Sequence, residues 1–242
     1  MRLQLGVSID CLADPSQAPF IAKNFIHAGN YRCPSAEDVA KMWKKTFRGR
    51  VSYFLHRATG GKRIRALHFD FLRSIERVLP KTNFIGFFYR RDCFLPFKDA
   101  SFSFIFSEHF FEHLFLDEAG GLLKECFRCM KRGGVIRTVV PDADLRTYEP
   151  IEPAGFSADG PSWNDPQKHK MRWNVYALAY MLESAGFRAV SREYCDRDGN
   201  YVSAASTHDP ALYENCLERE LLEDFSYCKR LPGSLCVDGV KE

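Results

Sequence analysis

The stretch Phe94–Pro141, FLPFKDASFSFIFSEHFFEHLFLDEAGGLLKECFRCMKRGGVIRTVVP, decides the fold. Phe102–Phe106 is a short, apolar, aromatic-rich run after a turn signal, which is typical of a strand buried on both faces. Asp117–Lys131 has apolar residues at helical spacing, and Val135–Val140 is a β-branched run. A strand, a helix and a second strand in this order predict a parallel pair with a right-handed crossover.

The limits of the predicted helix have their own signals. Asp117 is a plausible N-cap, and Gly133-Gly134 is placed to end the helix. Lys131 and Arg132 would then interact favourably with the negative end of the helix dipole.

Polar side chains collect after both predicted strands. Because ligands bind beyond the carboxyl ends of strands in open parallel sheets, we expect these side chains to mark the site. In chain order they are Ser107, Glu108, His109, Glu112, His113 and Asp142.

Two segments carry a family resemblance: LPFKDASFSFIFSEHFFEHL from Leu95, and LLKECFRCMKRGGVIRTVVPD from Leu122. They resemble the second half of a class I S-adenosylmethionine-dependent methyltransferase of the small-molecule, type 11-like group. Met171–Phe187 is similar to the next helix of that family, and Arg188–Tyr194 and Ser234–Val240 are similar to its last two strands. The resemblance implies an α/β, doubly wound, Rossmann-like sheet that is mostly parallel with an antiparallel last strand.

The expected organisation follows from where the resemblance begins, near Leu67. Residues 1–62 are predicted to form a helical, basic N-terminal extension, and residues 63–242 a methyltransferase-like domain. Within that domain, the proline-rich segment 148–170 is predicted to be a lid-like loop, and 201–230 a helical insertion.

The resemblance implies S-adenosylmethionine as cofactor. Ile64–Phe71 is expected to be the first strand, but Leu67–Pro80, LHFDFLRSIERVLP, contains no glycine for the usual glycine-rich loop. Leu3–Ser8, with a single glycine, is the other candidate for this strand and loop. The cofactor contacts that the resemblance implies are His68, Asp70, Asp92, Cys93, Ser107, Glu108 and His109.

The catalytic candidates are the histidines that follow the Phe102–Phe106 strand. Methyl transfer needs an aligned acceptor and a dry pocket, and it needs a general base only when the acceptor is protonated and weak. His109 is the first choice for that base and His113 the second. The expected substrate contacts are Glu112, Asp142, Trp163, His169 and Trp173.

Two other functions stay open, besides a nucleic-acid methyltransferase that would use the basic N-terminal extension. One is a non-catalytic methyltransferase-like binding protein that has lost its cofactor, which the missing glycines and Ser103, in place of the usual aspartate, favour. The other is a metal-dependent hydrolase, because His109-x-x-Glu112-His113 matches the H-x-x-E-H spacing and Asp142 or His169 would supply a third ligand. Since this motif lies between methyltransferase-like segments, we expect no metal.

Composition narrows the partners. A formal net charge of +3 over 242 residues does not argue for nucleic acid, the base-methylation signature N/D-P-P-Y is absent, and no apolar run is long enough to span a membrane. Nine irregularly spaced cysteines favour reduced thiols in a cytoplasmic protein, with Cys126-x-x-Cys129 as buried thiols. We therefore expect a small-molecule methyl acceptor as partner and leave the oligomeric state open.

Overall fold

The computed structural model describes residues 1–7, 18–29, 83–86, 94–147, 169–224 and 233–242. The chain forms two compact units, one of Met1–Gly6 with Tyr89–Glu242 and the other of Val7–Phe88. In chain order the described elements are β1 (Arg2–Leu5), α1 (Ala18–Ala22), β2 (Phe25–Gly29), β3 (Asn83–Gly86), β4 (Phe102–Glu108), α2 (Leu116–Cys129), β5 (Met130–Pro141), α3 (Val175–Ser184), β6 (Arg188–Cys195), β7 (Tyr201–Val202), α4 (Arg219–Glu223) and β8 (Ser234–Val240). Single 3₁₀ turns lie at Phe111–His113 and Pro210–Tyr213.

The first unit is a mixed sheet in the order β1-β4-β5-β8-β6-β7. β1 and β5 both pair with β4 in parallel. β8 lies antiparallel between β5 and β6, so β5 and β6 run in the same direction. The expected α/β, Rossmann-like class with an antiparallel last strand is confirmed, and the predicted strands at 188–194 and 234–240 are β6 and β8.

The core lies where α2 and α3 cover this sheet. β4 is buried along all but its last residue and β8 along its whole length, as expected of strands covered on both faces. The rings of Phe127 on α2 and Phe187 after α3 meet edge to face, with centroids 5.0 Å apart. Cys126 and Cys129 are fully buried, which raises the pKa of both thiols, that of Cys129 to about 11. They are packing residues, as the sequence predicted.

The ends of α2 differ from the prediction. Its N-cap is Phe115, two residues before Asp117, and the Glu118 carboxylate accepts a hydrogen bond from the Phe115 N–H at 2.9 Å. The helix ends at Cys129, so Gly133-Gly134 lies inside β5 and is not a C-cap. Lys241 takes the capping role, because its Nζ donates to the carbonyls of Phe127 (2.6 Å) and Met130 (2.8 Å).

The predicted helical extension over residues 1–62 is not confirmed. Arg2–Leu5 is a strand of the first unit's sheet, and its register pairs Leu3 with Ile105. Four residues are too few to show a clear strand periodicity in the sequence. Most of residues 1–62, the stretch Ile64–Phe71 and the 62/63 boundary lie outside the described residues.

The second unit contains α1, β2 and β3. β2 and β3 pair in parallel, with Ile26 opposite Asn83 and Gly29 opposite Gly86. β3 is short, with four residues from Asn83 to Gly86. Within the ranges described here, no helix combines the length and apolarity needed to cross a membrane.

The predicted helical insertion, residues 201–230, is built from short pieces. Asp209 caps the turn Pro210–Tyr213, because its carboxylate accepts the Ala211 N–H at 2.9 Å. The chain leaves this turn after Tyr213 and forms α4 only at Arg219–Glu223.

A buried ion pair ties this insertion to the sheet. The Arg137 guanidinium donates to both carboxylate oxygens of Asp238 at 2.7 Å, and both residues are fully buried. Arg137 also donates to the carbonyls of Leu221 and Leu222 in α4, and the Tyr213 hydroxyl donates to Asp238 at 2.7 Å. β5, β8 and the insertion therefore share one hydrogen-bonded centre.

Candidate functional site

The carboxyl ends of the parallel strands meet at one edge of the first unit's sheet. β1, β4, β5 and β6 end there at Leu5, Glu108, Pro141 and Cys195, and antiparallel β8 begins there at Ser234. This is the edge at which open parallel sheets bind their ligands.

His109 follows β4 directly and is held from three sides. Its backbone has φ +49°, a left-handed conformation that is uncommon for a non-glycine residue, and its N–H donates to the Val139 carbonyl at 2.9 Å. Its Nε2 lies 2.9 Å from Ser234 Oγ, and its Nδ1 lies 3.1 Å from Glu112 Oε1. The side chain is 26% exposed, so the imidazole is fixed and still open to the surface.

Glu112 lies behind His109 in the turn Phe111–His113. Its side chain is 1% exposed, and among the described residues neither carboxylate oxygen has a donor in hydrogen-bond geometry, because the close His109 Nδ1 is poorly aligned. Its backbone carbonyl accepts the N–H groups of Lys170 (2.7 Å) and Met171 (3.1 Å). The prediction that Glu112 contacts substrate stays a prediction, and its Oε1 lies 3.1 Å from His109 Nδ1 and 4.0 Å from His113 Nε2.

Three of the predicted residues form a second group around this carboxylate. Donor atoms of Glu112, His113 and His169 all lie within 4.8 Å of one another, and the rings of His113 and His169 have centroids 4.9 Å apart. The H-x-x-E-H spacing predicted His109 and His113 on one helical face. The segment is a 3₁₀ turn, and His169, not His109, joins His113 and Glu112.

The end of β1 supplies the glycine that the sequence lacked at Ile64–Phe71. Gly6 follows β1 with φ +78°, and a Cβ there would lie 2.2 Å from the Phe110 ring, so only glycine fits. Across the sheet Leu5 is opposite Ser107, whose buried hydroxyl has no hydrogen-bond partner within the described part of the chain. Leu3–Ser8, the second sequence candidate, therefore contains the strand at this edge.

Asp142 and Trp173 pack this edge. Asp142 Oδ2 accepts the Cys195 N–H at 2.6 Å and Oδ1 accepts the Asp144 N–H at 3.1 Å, while burial raises the pKa of the carboxyl. Trp173 is fully buried and its carbonyl accepts the Ala143 N–H at 2.8 Å. Both were predicted to contact substrate, which stays a prediction, and both are buried beside the loop after β5.

Ser103 lies away from the site. It is in the amino-terminal half of β4, and its hydroxyl donates to Glu218 Oε1 at 2.5 Å. The serine that replaces the family's aspartate therefore links β4 to the insertion and removes no charge from the edge that carries His109. The other predicted site residues, His68, Asp70, Asp92, Cys93 and Trp163, lie outside the described residues and stay predictions.

Sequence analysis missed Ser234 and an open cleft beside Asp142. Ser234 is 125 residues from His109, and its one sequence signal is that it opens the last strand. The cleft has a volume of about 590 Å³. It is lined by Ala143, Asp144, Leu145, Arg146, Asn174, Tyr176, Asp196, Arg197 and Gly199.

The cleft is shaped by two arginines. Arg146 Nη2 donates to the Asp198 carbonyl at 2.7 Å, and its side chain lies so close over Gly199 that a Cβ there would be 2.2 Å from Nε. The guanidinium of Arg197 lies 4.3 Å from the centroid of the Tyr176 ring. Charged, amide and aromatic groups thus face one open space.

Residues 67–138 match the family model described as a methyltransferase domain. The resemblance to class I S-adenosylmethionine-dependent methyltransferases is confirmed. The matched segment includes β4, α2 and most of β5, and with them the site edge at Ser107–His109. Methyl transfer is the activity class that this methyltransferase match supports. No curated protein matches the sequence.

Solved methyltransferase structures resemble the chain at low identity. The methyltransferase in complex with the Haloferax volcanii Trm112 methyltransferase activator is 14% identical. The match covers 99% of this chain and 82% of that chain, with a TM-score of 0.46. A Thermotoga maritima S-adenosylmethionine-dependent methyltransferase, described as a possible histamine N-methyltransferase, is 12% identical. The match covers 100% of this chain and 81% of that chain, with a TM-score of 0.46. An Archaeoglobus fulgidus S-adenosylmethionine-dependent methyltransferase is 15% identical. The match covers 98% of this chain and 85% of that chain, with a TM-score of 0.46.

Proposed function

We propose that the protein transfers a methyl group from S-adenosylmethionine to a small, hydroxyl-rich, saccharide-like acceptor. The observation that carries this proposal is His109, which follows β4 in a strained backbone conformation between Ser234 and Glu112. Backbone strain of this kind costs roughly 1–3 kcal/mol and concentrates at functional sites. Here it aims an imidazole at the ligand-binding edge.

The described residues fit the amino-acid end of the cofactor. Gly6 lets the backbone turn in a left-handed conformation directly after β1, and the buried hydroxyl of Ser107, which has no hydrogen-bond partner among the described residues, would find one in the cofactor. Glu108 follows Ser107 at the end of β4, where a carboxylate would attract the cofactor's ammonium group. When bound, S-adenosylmethionine supplies an electrophilic methyl group on a sulfonium.

His109 would act as the general base for a hydroxyl acceptor. In the tautomer with hydrogen on Nδ1, Nε2 is an acceptor, and it already accepts the Ser234 hydroxyl. An acceptor hydroxyl that displaces the Ser234 hydroxyl from Nε2 would give its proton to the imidazole as its oxygen bonds to the methyl carbon. The nearby Glu112 carboxylate would stabilise the imidazolium that forms.

The cleft after β5 suits the rest of such an acceptor. Asp144, Asn174 and Arg146 offer hydrogen-bond acceptors and donors to hydroxyl groups, and Tyr176 offers a flat ring. Its volume of about 590 Å³ is in the range of small-molecule sites. The cleft and His109 lie beyond strands that end at the same edge of the sheet.

The first test is calorimetric titration of the full chain with S-adenosylmethionine and with S-adenosylhomocysteine. We expect micromolar binding, about −8 kcal/mol. Labelled methyl transfer would then be measured against matched panels of saccharides, amines and thiols, with saccharides as the expected acceptors. Absence of binding of either ligand at millimolar concentration would overturn the enzymatic proposal in favour of a methyltransferase-like binding protein.

A further inference from the structure

We propose that Glu112, His113 and His169 form a binding site for a divalent transition-metal cation of the zinc class. One donor atom from each side chain lies within 4.8 Å of the other two. Two imidazoles and a carboxylate are a donor set that zinc and its neighbours in the first transition row take in proteins.

Glu112 is the observation that points to a cation. Its carboxylate is 1% exposed, and neither oxygen has an aligned hydrogen-bond donor among the residues that the structure describes. A carboxylate removed from water needs donors or a positive charge to remain ionised. The two histidines beside it present ring nitrogens, which are ligands in their neutral form.

The group is assembled from two distant segments by backbone hydrogen bonds. The Glu112 carbonyl accepts the N–H groups of Lys170 and Met171, and this brings His169 against the 3₁₀ turn that carries Glu112 and His113. The Lys170 ammonium lies 4.9 Å from the centroid of the Phe115 ring, which anchors the same segment at a second point. Because backbone contacts fix the approach, the three side chains do not depend on a metal ion to meet.

Metal binding requires a small adjustment of the side chains. Zinc lies about 2.0–2.2 Å from nitrogen and oxygen ligands, so tetrahedral ligands lie roughly 3.4 Å from one another. Donors that lie within 4.8 Å of one another must therefore approach by up to about 1.4 Å. His113 is only partly buried, with its side chain 23% exposed, so its ring has room to turn and the cation has a path from solvent. Three protein ligands leave one coordination position open, as in catalytic zinc sites.

His109 is not needed as a ligand. It is 3.1 Å from Glu112 Oε1 through Nδ1, while Nε2 lies beside Ser234 Oγ. The proposed ion therefore lies on the His113 and His169 side of Glu112. The metal site and the proposed base share the Glu112 carboxylate but use different histidines.

The test is titration of the chelator-treated full chain with Zn²⁺ by calorimetry, and with Co²⁺ by visible absorption, without S-adenosylmethionine. We expect one ion per chain, micromolar or tighter binding, and the absorption bands of Co²⁺ with nitrogen and oxygen ligands. Wild-type protein that binds neither ion would overturn the proposal.

The variants assign the ligands. His113→Ala and His169→Ala should each weaken Zn²⁺ binding at least about tenfold and change the Co²⁺ bands. His208→Ala, which removes a histidine that lies beside Arg192, is the matched control and should bind as the wild type does. Glu112→Gln keeps the shape of the side chain, and it should weaken binding while circular dichroism shows a folded chain. Unchanged affinity in all three ligand variants would refute the assignment.

This experiment is independent of the proposed methyl transfer. Zn²⁺ binding is read without cofactor or acceptor, and S-adenosylmethionine binding is read in the presence of chelator. Failure of one measurement leaves the other intact.

Discussion

His109 combines features that are rarely found in one residue. Its φ of +49° is a conformation that asparagine tolerates better than most residues, and its imidazole is held by Ser234 and Glu112. Substitution by asparagine can therefore remove the imidazole and keep the left-handed backbone conformation.

We expect His109→Asn to keep the fold and cofactor binding but to lower kcat about 10²–10⁴-fold, because a positioned general base is lost. Calorimetry with S-adenosylhomocysteine and single-turnover methyl transfer would measure the two effects separately. His208→Asn is the control and should keep full activity. Full turnover by His109→Asn would mean that another group accepts the proton.

His27 in β2 is a fully buried residue whose burial lowers its pKa to about 4. Because the unfolded chain binds this proton near pH 6.5 and the folded chain near pH 4, folding stability is complete above pH 6.5 and is lost as the pH falls toward 4. Folding stability falls as the pH falls because the folded state buries a neutral imidazole that the unfolded state can protonate.

His27→Gln should therefore flatten the acid limb of the stability profile. Between pH 6.5 and 5 we expect wild-type stability to fall by up to about 1.4 kcal/mol per pH unit more than that of the variant. Denaturant unfolding at several pH values measures this difference, and His208→Gln is the matched control for loss of a histidine outside β2. Parallel profiles of wild type and His27→Gln would contradict the assignment.

At the scale of elements, the close contact between β1 and the segment after β4 depends on Gly6. A side chain at this position is opposed for two reasons: the φ of +78° is strained for any residue but glycine, and the Phe110 ring occupies the space that a Cβ would need. A pair of substitutions can separate backbone strain from steric clash.

Gly6→Ala should destabilise the chain by about 1–3 kcal/mol. Adding Phe110→Ala should recover the part caused by the clash and leave about 1 kcal/mol from the left-handed backbone. Thermal unfolding of the single and double variants measures both parts. Equal stability of Gly6→Ala and wild type would show that the ring moves aside at little cost.

Elements with strong local patterns could be predicted from the sequence. β4, β5, β6 and β8 are continuous apolar or β-branched runs, and each was expected close to where it lies. The end of α2 could not be predicted, because Lys241, more than 100 residues away, caps it while the Gly-Gly pair enters a strand. The segment that contains β1 was only the second candidate for the first strand, because four residues give almost no periodicity.

In the candidate site, too, local sequence patterns could be predicted and long-range contacts could not. His109, Glu112 and His113 are neighbours in sequence at a strand end, so pattern and resemblance both identified them. His169 was named as a possible third ligand, but its place beside Glu112 depends on hydrogen bonds across nearly 60 residues. Ser234 reaches His109 only through the antiparallel register of β8, which no local signal encodes.

At the scale of the whole molecule, the buried pair of Arg137 and Asp238 joins the sheet to the insertion. Each charge depends on the other, and Tyr213 and the α4 carbonyls complete the hydrogen bonding. Breaking such a pair leaves one charge in the core without its partner.

Asp238→Ala should lower the free energy of unfolding by about 3–5 kcal/mol because Arg137 is left buried and unpaired. Asp99→Ala removes a carboxylate from the more exposed pair with Arg128 and should cost about 0–1 kcal/mol. Denaturant unfolding of both variants would compare them. Similar small losses in the two variants would show that water or another group compensates Arg137.

The position of β8 affects the order in which a working protein is made. A ribosome synthesises β1, β4 and β5 long before Ser234 and Asp238 leave the exit tunnel. Until then His109 lacks the hydroxyl beside Nε2, and Arg137 lacks its counter-ion. A nascent chain that stops before β8 therefore can join β1, β4 and β5 but has no strand that links them to β6, and its site and its buried ion pair are both incomplete.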